Sequence, residues 1–294
     1  MEAPLVIGLI EGEAPTELGL AQAAARHPGL SVQSVAVDEL ASDTLAGVII
    51  DAPVGQRAAL VARTAARWSV PILIEAPVAG DLEHARLVED LAVNNDILVA
   101  NPLRYALHSR RLLEELAQAH DALETFFAAW RFRAQATAEH ALPQLLDFLQ
   151  ALGPGSDQLC RVSAMQHLEP SVLTVTLRYA SDVLGSIEVG SHLPDSFPTG
   201  SELVVECFCH ARAYTCVPGN QAVQLYGRSH AAFDWQPDPA DAIVAAFAGW
   251  LWGGARPAGG IPDDLKTLRL VDRISQALQM GGVLDVQVVE EAAR

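Results

Sequence analysis

The chain has 294 residues, half of them hydrophobic, with 36 acidic side chains against 19 basic ones and a formal net charge of -17. A chain of this length and apolarity can bury a substantial core and is expected to form two domains. Its charge leaves no basic stripe for a phosphate backbone and would be repelled by anionic lipid, so nucleic acid and membrane are poor partners. No apolar run approaches the roughly 20 residues that cross a bilayer, and the start Met1-Glu2 lacks the basic region of a signal peptide, so a cytoplasmic protein is expected.

Taken in order, Pro4 to Ile10 is a continuous apolar run, the pattern of a strand covered on both faces. An Ala-rich helix follows over residues 17–26, ended by His27-Pro-Gly, and a second strand runs from Ser31 to Val37 and closes on Asp38. A strand at 46–50 leads through Asp51-Ala-Pro53 into a helix at 56–68. The buried strand Pro71 to Ile74 then opens onto Glu75-Ala-Pro77, and a helix at 81–93 and a strand at 97–100 complete the alternation. Strand–helix alternation of this kind predicts a parallel, doubly wound sheet.

After Asn101-Pro102 the pattern changes. A long amphipathic helix over 103–119 leads into one strand from Phe126, one helix at 138–152 stopped by Gly153-Pro-Gly, and six strands near 158–168, 171–180, 183–191, 202–209, 211–217 and 221–227. Short turns such as Ala180-Ser-Asp182 predict a largely antiparallel sheet, and helices at 239–253 and 262–280 close the chain. The fold class is therefore α/β plus α+β. A Rossmann-like parallel-sheet domain over 1–119 precedes a second, largely antiparallel open-sheet domain over 120–294.

Four cysteines are too few for a disulfide framework. Cys207, Cys209, His210 and Cys216 have the chemistry of zinc ligands, but Cys207 and Cys209 alternate along an apolar strand and lack the CxxC spacing. They are read as core residues, and no metal site is expected.

Several stretches together resemble the glucose–fructose oxidoreductase/inositol dehydrogenase (Gfo/Idh/MocA) family. They are His27-Pro-Gly-Leu with Val35 to Asp38, Ile49-Ile-Asp-Ala-Pro53, Ile74-Glu-Ala-Pro77, Val99 to Tyr105, and the closing pattern from Ala245 to Val283. The resemblance implies NAD or NADP as cofactor, with Asp38 at its ribose and Ala52 and Pro53 in the turn beside it. It also implies that subunits meet on the open face of the second sheet.

Three departures stand against the family's chemistry. Where G-x-G-x-x-G should leave room for a pyrophosphate, the turn reads Ile10-Glu-Gly-Glu-Ala-Pro-Thr-Glu-Leu-Gly19, so Glu11 and Glu13, or Glu17 in another alignment, oppose it. One like-charge contact near 4 Å costs on the order of 4 kcal/mol at an effective dielectric of 20. Ala76 stands where the family has the lysine of Glu-Lys-Pro, and it can neither donate nor carry charge. Counting back from Gly153 puts Pro143 and Leu146 where the family has its histidine and aspartate, with His140 and Asp147 nearby. Glu75 and His140 are thus the remaining catalytic candidates.

The expectation from sequence is a degenerate member that holds no cofactor and transfers no hydride, serving as a small-ligand-binding or assembly protein. The alternative is an active NAD(P)-dependent oxidoreductase on a sugar-like or other small hydroxyl or carbonyl substrate. Apolar residues on both alternating sets of strands 171–180 and 202–209 add the expectation of a homodimer through the second sheet.

Overall fold

The structure is a computed structural model. It describes the chain apart from residues 1–3, 15, 17, 37–44, 92–95, 120–122, 134–137, 154–157, 169–170, 198–199, 211, 218–221, 227–228, 233–237 and 287–294. The side chains of 118–119, 138–140, 217, 222–226 and 229–232 also lie outside the description. In chain order the elements begin β1 (Leu5–Glu11), α1 (Leu20–Arg26), β2 (Leu30–Ser34), β3 (Gly47–Asp51), α2 (Val54–Arg67), β4 (Ile72–Glu75), α3 (Leu82–Glu89), β5 (Ile97–Ala100) and α4 (Pro102–Tyr105). They continue α5 (Leu107–Ala119), β6 (Leu123–Phe132), α6 (Ala138–Leu152), β7 (Leu159–Leu168), β8 (Ser171–Tyr179), β9 (Leu184–Gly190) and β10 (Ser201–Cys209). The chain closes with β11 (Ala213–Val217), β12 (Ala222–Tyr226), β13 (Ser229–Ala232), α7 (Pro239–Leu251), α8 (Ile261–Gln279) and β14 (Val283–Asp285). Among the described residues no helix is long and apolar enough to cross a membrane.

These elements form two compact units, Met1–Ala106 with Pro237–Leu268, and Leu107–Gln236 with Arg269–Arg294. In the first, all five strands run parallel in the order β2-β1-β3-β4-β5. Strands β3, β4 and β5 are buried at every position, as their unbroken apolar runs require once both faces are covered. β2 is one edge, and its polar residues Gln33 and Ser34 are exposed.

The coverage of that sheet differs from the division at residue 119. On one face, Ile50, Ile72 and Ile74 pack with residues of α2 and α3 and with Ile261, Leu265 and Leu268 of α8. On the other, Ile49, Leu73 and Leu98 pack with Leu20, Ala23 and Ala24 of α1 and with Ala240, Ile243, Val244 and Phe247 of α7. The short helix α1 cannot cover its face alone and α7 completes it, while the first half of α8 joins α2 and α3 on the other face; both helices, read from sequence as closing the second domain, thus complete the first one instead.

The second unit holds a nine-stranded sheet in the order β13-β12-β11-β10-β6-β9-β8-β7-β14. Every neighbouring pair is antiparallel except β6 with β9, so the sheet is mixed and largely antiparallel. Its inner face carries buried Phe126, Ala128, Val175, Leu177, Ile187, Val205 and Cys207, and α6 packs on β6 and β9. The Phe126 ring lies where a side chain on Gly185 would fall, 2.1 Å from its Cζ, so only glycine fits opposite it. The expected helix over 103–119 is two helices, because Ala106 takes extended backbone (φ -60°, ψ 132°) between α4 and α5.

Candidate functional site at the carboxyl edge of the parallel sheet

In an open α/β sheet, ligands bind outside the carboxyl ends of the strands, where the strand order reverses. Here that point lies between β1 and β3, whose last residues, Glu11 and Asp51, face each other in register. The loop from Gly12 to Gly19 crosses this edge before α1 begins. Beneath it lies a recess of about 330 Å³ bounded by Glu11, Glu13, Thr16, Ala21, Gln22 and Asp51 among others.

The loop is tied to β3 and α2. The Gly12 amide donates to the Asp51 carbonyl at 2.9 Å, and the Glu13 amide donates to Gln56 Oε1 at 3.2 Å. A Cβ on Gly12 would fall 2.6 Å from Pro53 Cδ and 2.8 Å from Ala52 Cβ, so this glycine is needed for the close approach of the Asp51-Ala-Pro53 turn. The Asp51 carboxylate, 7% exposed, accepts from the Ala21 amide at 2.8 Å and from the Thr16 hydroxyl. Thr16 Oγ1 in turn accepts from the Gly19 amide at 3.2 Å. As it stands, therefore, the turn does not fit a pyrophosphate. A carboxylate of the protein already holds the amide that an anion would use at the start of α1, and Glu11 and Glu13 stand exposed beside it.

The other candidates fall into place one by one. Asp38 and Glu17 lie outside the described residues. Ala52 is buried, with its carbonyl accepting from Arg57 Nε at 2.8 Å, and Pro53 leads into α2. Glu75, 7% exposed, is engaged by Arg57, 6% exposed, with Nη2 2.5 Å from Oε2. The same guanidinium donates through Nη1 to the carbonyls of Glu75 at 3.2 Å and Pro77 at 3.0 Å. The Val78 amide donates to buried Asp264 Oδ2 at 2.9 Å. Ala76 is 3% exposed within an apolar cluster, and the peptide bond to Pro77 is cis. Glu75 thus takes part in a buried clamp on its own turn.

Neither Arg57 nor Asp51 was singled out from sequence. Arg57 carried a usable signal: it shares the buried face of α2 with Ala58, Val61 and Thr64, and an arginine on an apolar stripe needs a buried acceptor.

In the second unit, His140 lies in the first turn of α6 and its side chain is outside the description. Leu146 is fully buried, Pro143 half-buried and Asp147 5% exposed. Cys207, Cys209 and Cys216 are buried, and burial pushes the Cys207 thiol up and that of Cys216 up to about 12. His210 sits exposed 3.3 Å from Glu124, and no three His, Cys, Asp or Glu among the described residues gather as metal ligands.

No protein-family model matches the sequence, and none of the curated proteins does. Solved structures do. A myo-inositol dehydrogenase from Corynebacterium glutamicum is similar with a TM-score of 0.76 at 19% identity, covering 97% of this chain and 99% of that one. An inositol dehydrogenase homologue from Azotobacter vinelandii, solved with NAD+, gives 0.74 at 12% identity over 97% and 98%. An oxidoreductase from Agrobacterium radiobacter, solved with NAD+, L-tartaric acid and magnesium, gives 0.68 at 15% over 96% and 98%. The two NAD+ complexes overturn the expectation that no cofactor is held. That expectation rested on the charge at one turn, whereas a fold of this kind offers a ligand the whole carboxyl edge of its sheet. The strand orders of both sheets and these likenesses agree: the chain has the fold of the Gfo/Idh/MocA-type oxidoreductases.

Proposed function

We propose that this chain is a ligand-binding protein built on the oxidoreductase fold. It takes a nicotinamide dinucleotide at the carboxyl edge of the parallel sheet and does not transfer hydride through the family's lysine and histidine. The dinucleotide is supported by the NAD+ held in two similar structures. The observation that carries the loss of hydride transfer is the Glu75-Ala76-Pro77 turn. Ala76 is packed in an apolar cluster, and the carboxylate beside it is engaged by Arg57, so no group of this turn is available to move a substrate proton. The corresponding positions on α6 hold Pro143 and a fully buried Leu146.

The test is an NAD(P)-linked assay against a panel of polyols and sugars, run beside calorimetric titration with NADH and NADPH. Binding without turnover is expected. Formation of NADH or NADPH by the unmodified chain would establish the second reading, an active oxidoreductase, which the NAD+ complexes of similar proteins favour.

The partner proposed for the second sheet is another copy of this chain. Its outer face presents Met165 (57% exposed) and Phe208 (41%) together with half-buried Phe127, Val172 and Val204. Among them Arg131 lies between Glu188 at 2.8 Å and Glu202 at 3.1 Å. These large apolar side chains, with Arg131 paired within the face, support isologous pairing.

A further inference from the structure

At one end of the second sheet two arginines stand directly opposite each other. Arg161 of β7 and Arg178 of β8 are partners across the strands, so their side chains leave the same face. The register that sets Leu159 against Tyr179 would, if it continued regularly, set Cys160 against Arg178 and Arg161 against buried Leu177. A bulge at Cys160 adds one residue and brings Arg161 beside Arg178 instead. Like charges so placed oppose the pairing of their strands, in a chain with only 19 bases against 36 acids.

The two guanidiniums border a recess of about 340 Å³ together with Tyr179, Asp182 and Asp285. Among the described residues each meets one carboxylate: Arg161 Nε lies 3.5 Å from Asp285 Oδ1, and Arg178 Nη2 3.3 Å from Asp182 Oδ1. These aspartates are 82% and 87% exposed, so water competes for both and each ion pair is weak. The neighbouring turn spends its own donors internally. The Ala180 amide donates to the Gln158 carbonyl at 2.7 Å and the Asp182 amide to the Tyr179 carbonyl at 3.0 Å, while the Cys160 thiol donates to the Gln158 carbonyl at 3.7 Å. What the recess offers a ligand is therefore a pair of guanidinium edges, each with several N–H donors in one plane.

We infer that Arg161 and Arg178 together bind a small dianionic oxyanion, a phosphate or a dicarboxylate, with at least one oxygen on each guanidinium. Planar guanidiniums match such oxygens in geometry as well as charge, and a dianion between two of them removes their mutual repulsion. Asp182 and Asp285 neutralise the pair in the free protein and turn out to solvent, where most of their surface already lies, as the anion enters. The recess lies at the opposite end of β8 from Val172, and the inference does not rest on the dinucleotide reading.

The experiment uses the full chain in chloride buffer above neutral pH, with inorganic phosphate as probe. Calorimetric titration gives the affinity, and the arginine Nε–H signals in NMR give the place. Saturable binding that shifts the Arg161 and Arg178 signals together is expected. Arg161→Ala and Arg178→Ala should each weaken it by at least about tenfold. Asp182→Asn and Asp285→Asn keep the shape and remove a competing charge, so each should tighten it by a factor of about two to five. Glycerol 3-phosphate and malonate, titrated alongside, separate a phosphate monoester from a dicarboxylate, and tighter binding of either supports the site. Shifts that do not saturate, or that extra chloride reproduces, would mean an adventitious ion only and overturn the inference. Phosphate affinity unchanged in both arginine variants, with their circular dichroism native, overturns it as well.

Discussion

Replacing Arg57 by alanine tests whether the Glu75 turn is a structural clamp. The guanidinium makes four hydrogen bonds, to the carbonyls of Ala52, Glu75 and Pro77 and to Glu75 Oε2. Both side chains are buried, at 7% and 9% exposure. Removing one partner of a buried pair strands the other charge out of water, which costs about 3–5 kcal/mol. Glu75→Gln keeps the shape and one acceptor, and leaves the guanidinium three carbonyls, so about 1–3 kcal/mol is expected. The double variant Arg57→Met with Glu75→Leu removes both charges and should cost less than Arg57→Ala alone, since no ion is left unpaired. Urea denaturation followed by circular dichroism and tryptophan fluorescence gives the three differences. A loss below about 1 kcal/mol for Arg57→Ala, or a double variant costing the sum of the singles, would refute the clamp.

Further outcomes are expected from other parts of the molecule. Ala76→Lys should leave NAD(P)-linked turnover absent and should destabilise the protein, because an ammonium would enter an apolar cluster; turnover in that variant would mean that the rest of a catalytic site is intact. In the native protein a thiol reagent should modify partly exposed Cys160 first, with Cys207 and Cys216 reacting only after denaturation, since burial raises both; rapid labelling of all the cysteines would contradict their burial. At the start of α3 the hydrogen bond that the His84 ring donates to the Asp81 carboxylate raises the pKa of His84, and the His84 amide, donating to the same carboxylate, lowers that of Asp81. The His84 contribution is complete below the ordinary histidine range and is lost as pH rises through the raised value. That of Asp81 is present above the ordinary carboxylate range and is lost as pH falls through the lowered value. Titration of the His84 ring by NMR should therefore give a raised midpoint that Asp81→Asn abolishes. Sedimentation at micromolar concentration should show at least twice the 31.3 kDa chain mass, and Phe208→Glu should shift it toward the monomer; a monomeric unmodified chain would remove the proposed partner.

Much of the local structure is legible in the residues themselves. The helix expected at 138–152 is α6, because Gly153-Pro-Gly stops it. Strands expected near 158–168 and 171–180 are β7 and β8 within a residue, since period-two apolar patterning and short turns fix strand ends directly. The unbroken apolar runs of β3, β4 and β5 likewise announce a parallel sheet covered on both faces. Nothing in those runs says what covers them. Phe247 of α7 packs on the face of Ile49, and Leu265 of α8 on that of Ile50, although both helices follow every strand of the second sheet but β14 in the chain. The charged site is likewise decided by distant partners. Asp51 lies 30 residues from the amide it accepts from, Glu75 is 18 residues from Arg57, and Val78 is 186 from Asp264. Local hydrophobic period sets which face of an element is buried, because it depends only on neighbours along the chain. The partner of a buried charge, and whether an acid opposes an anion or occupies its place, follow from contacts that form only when the sheet edge and the loop come together.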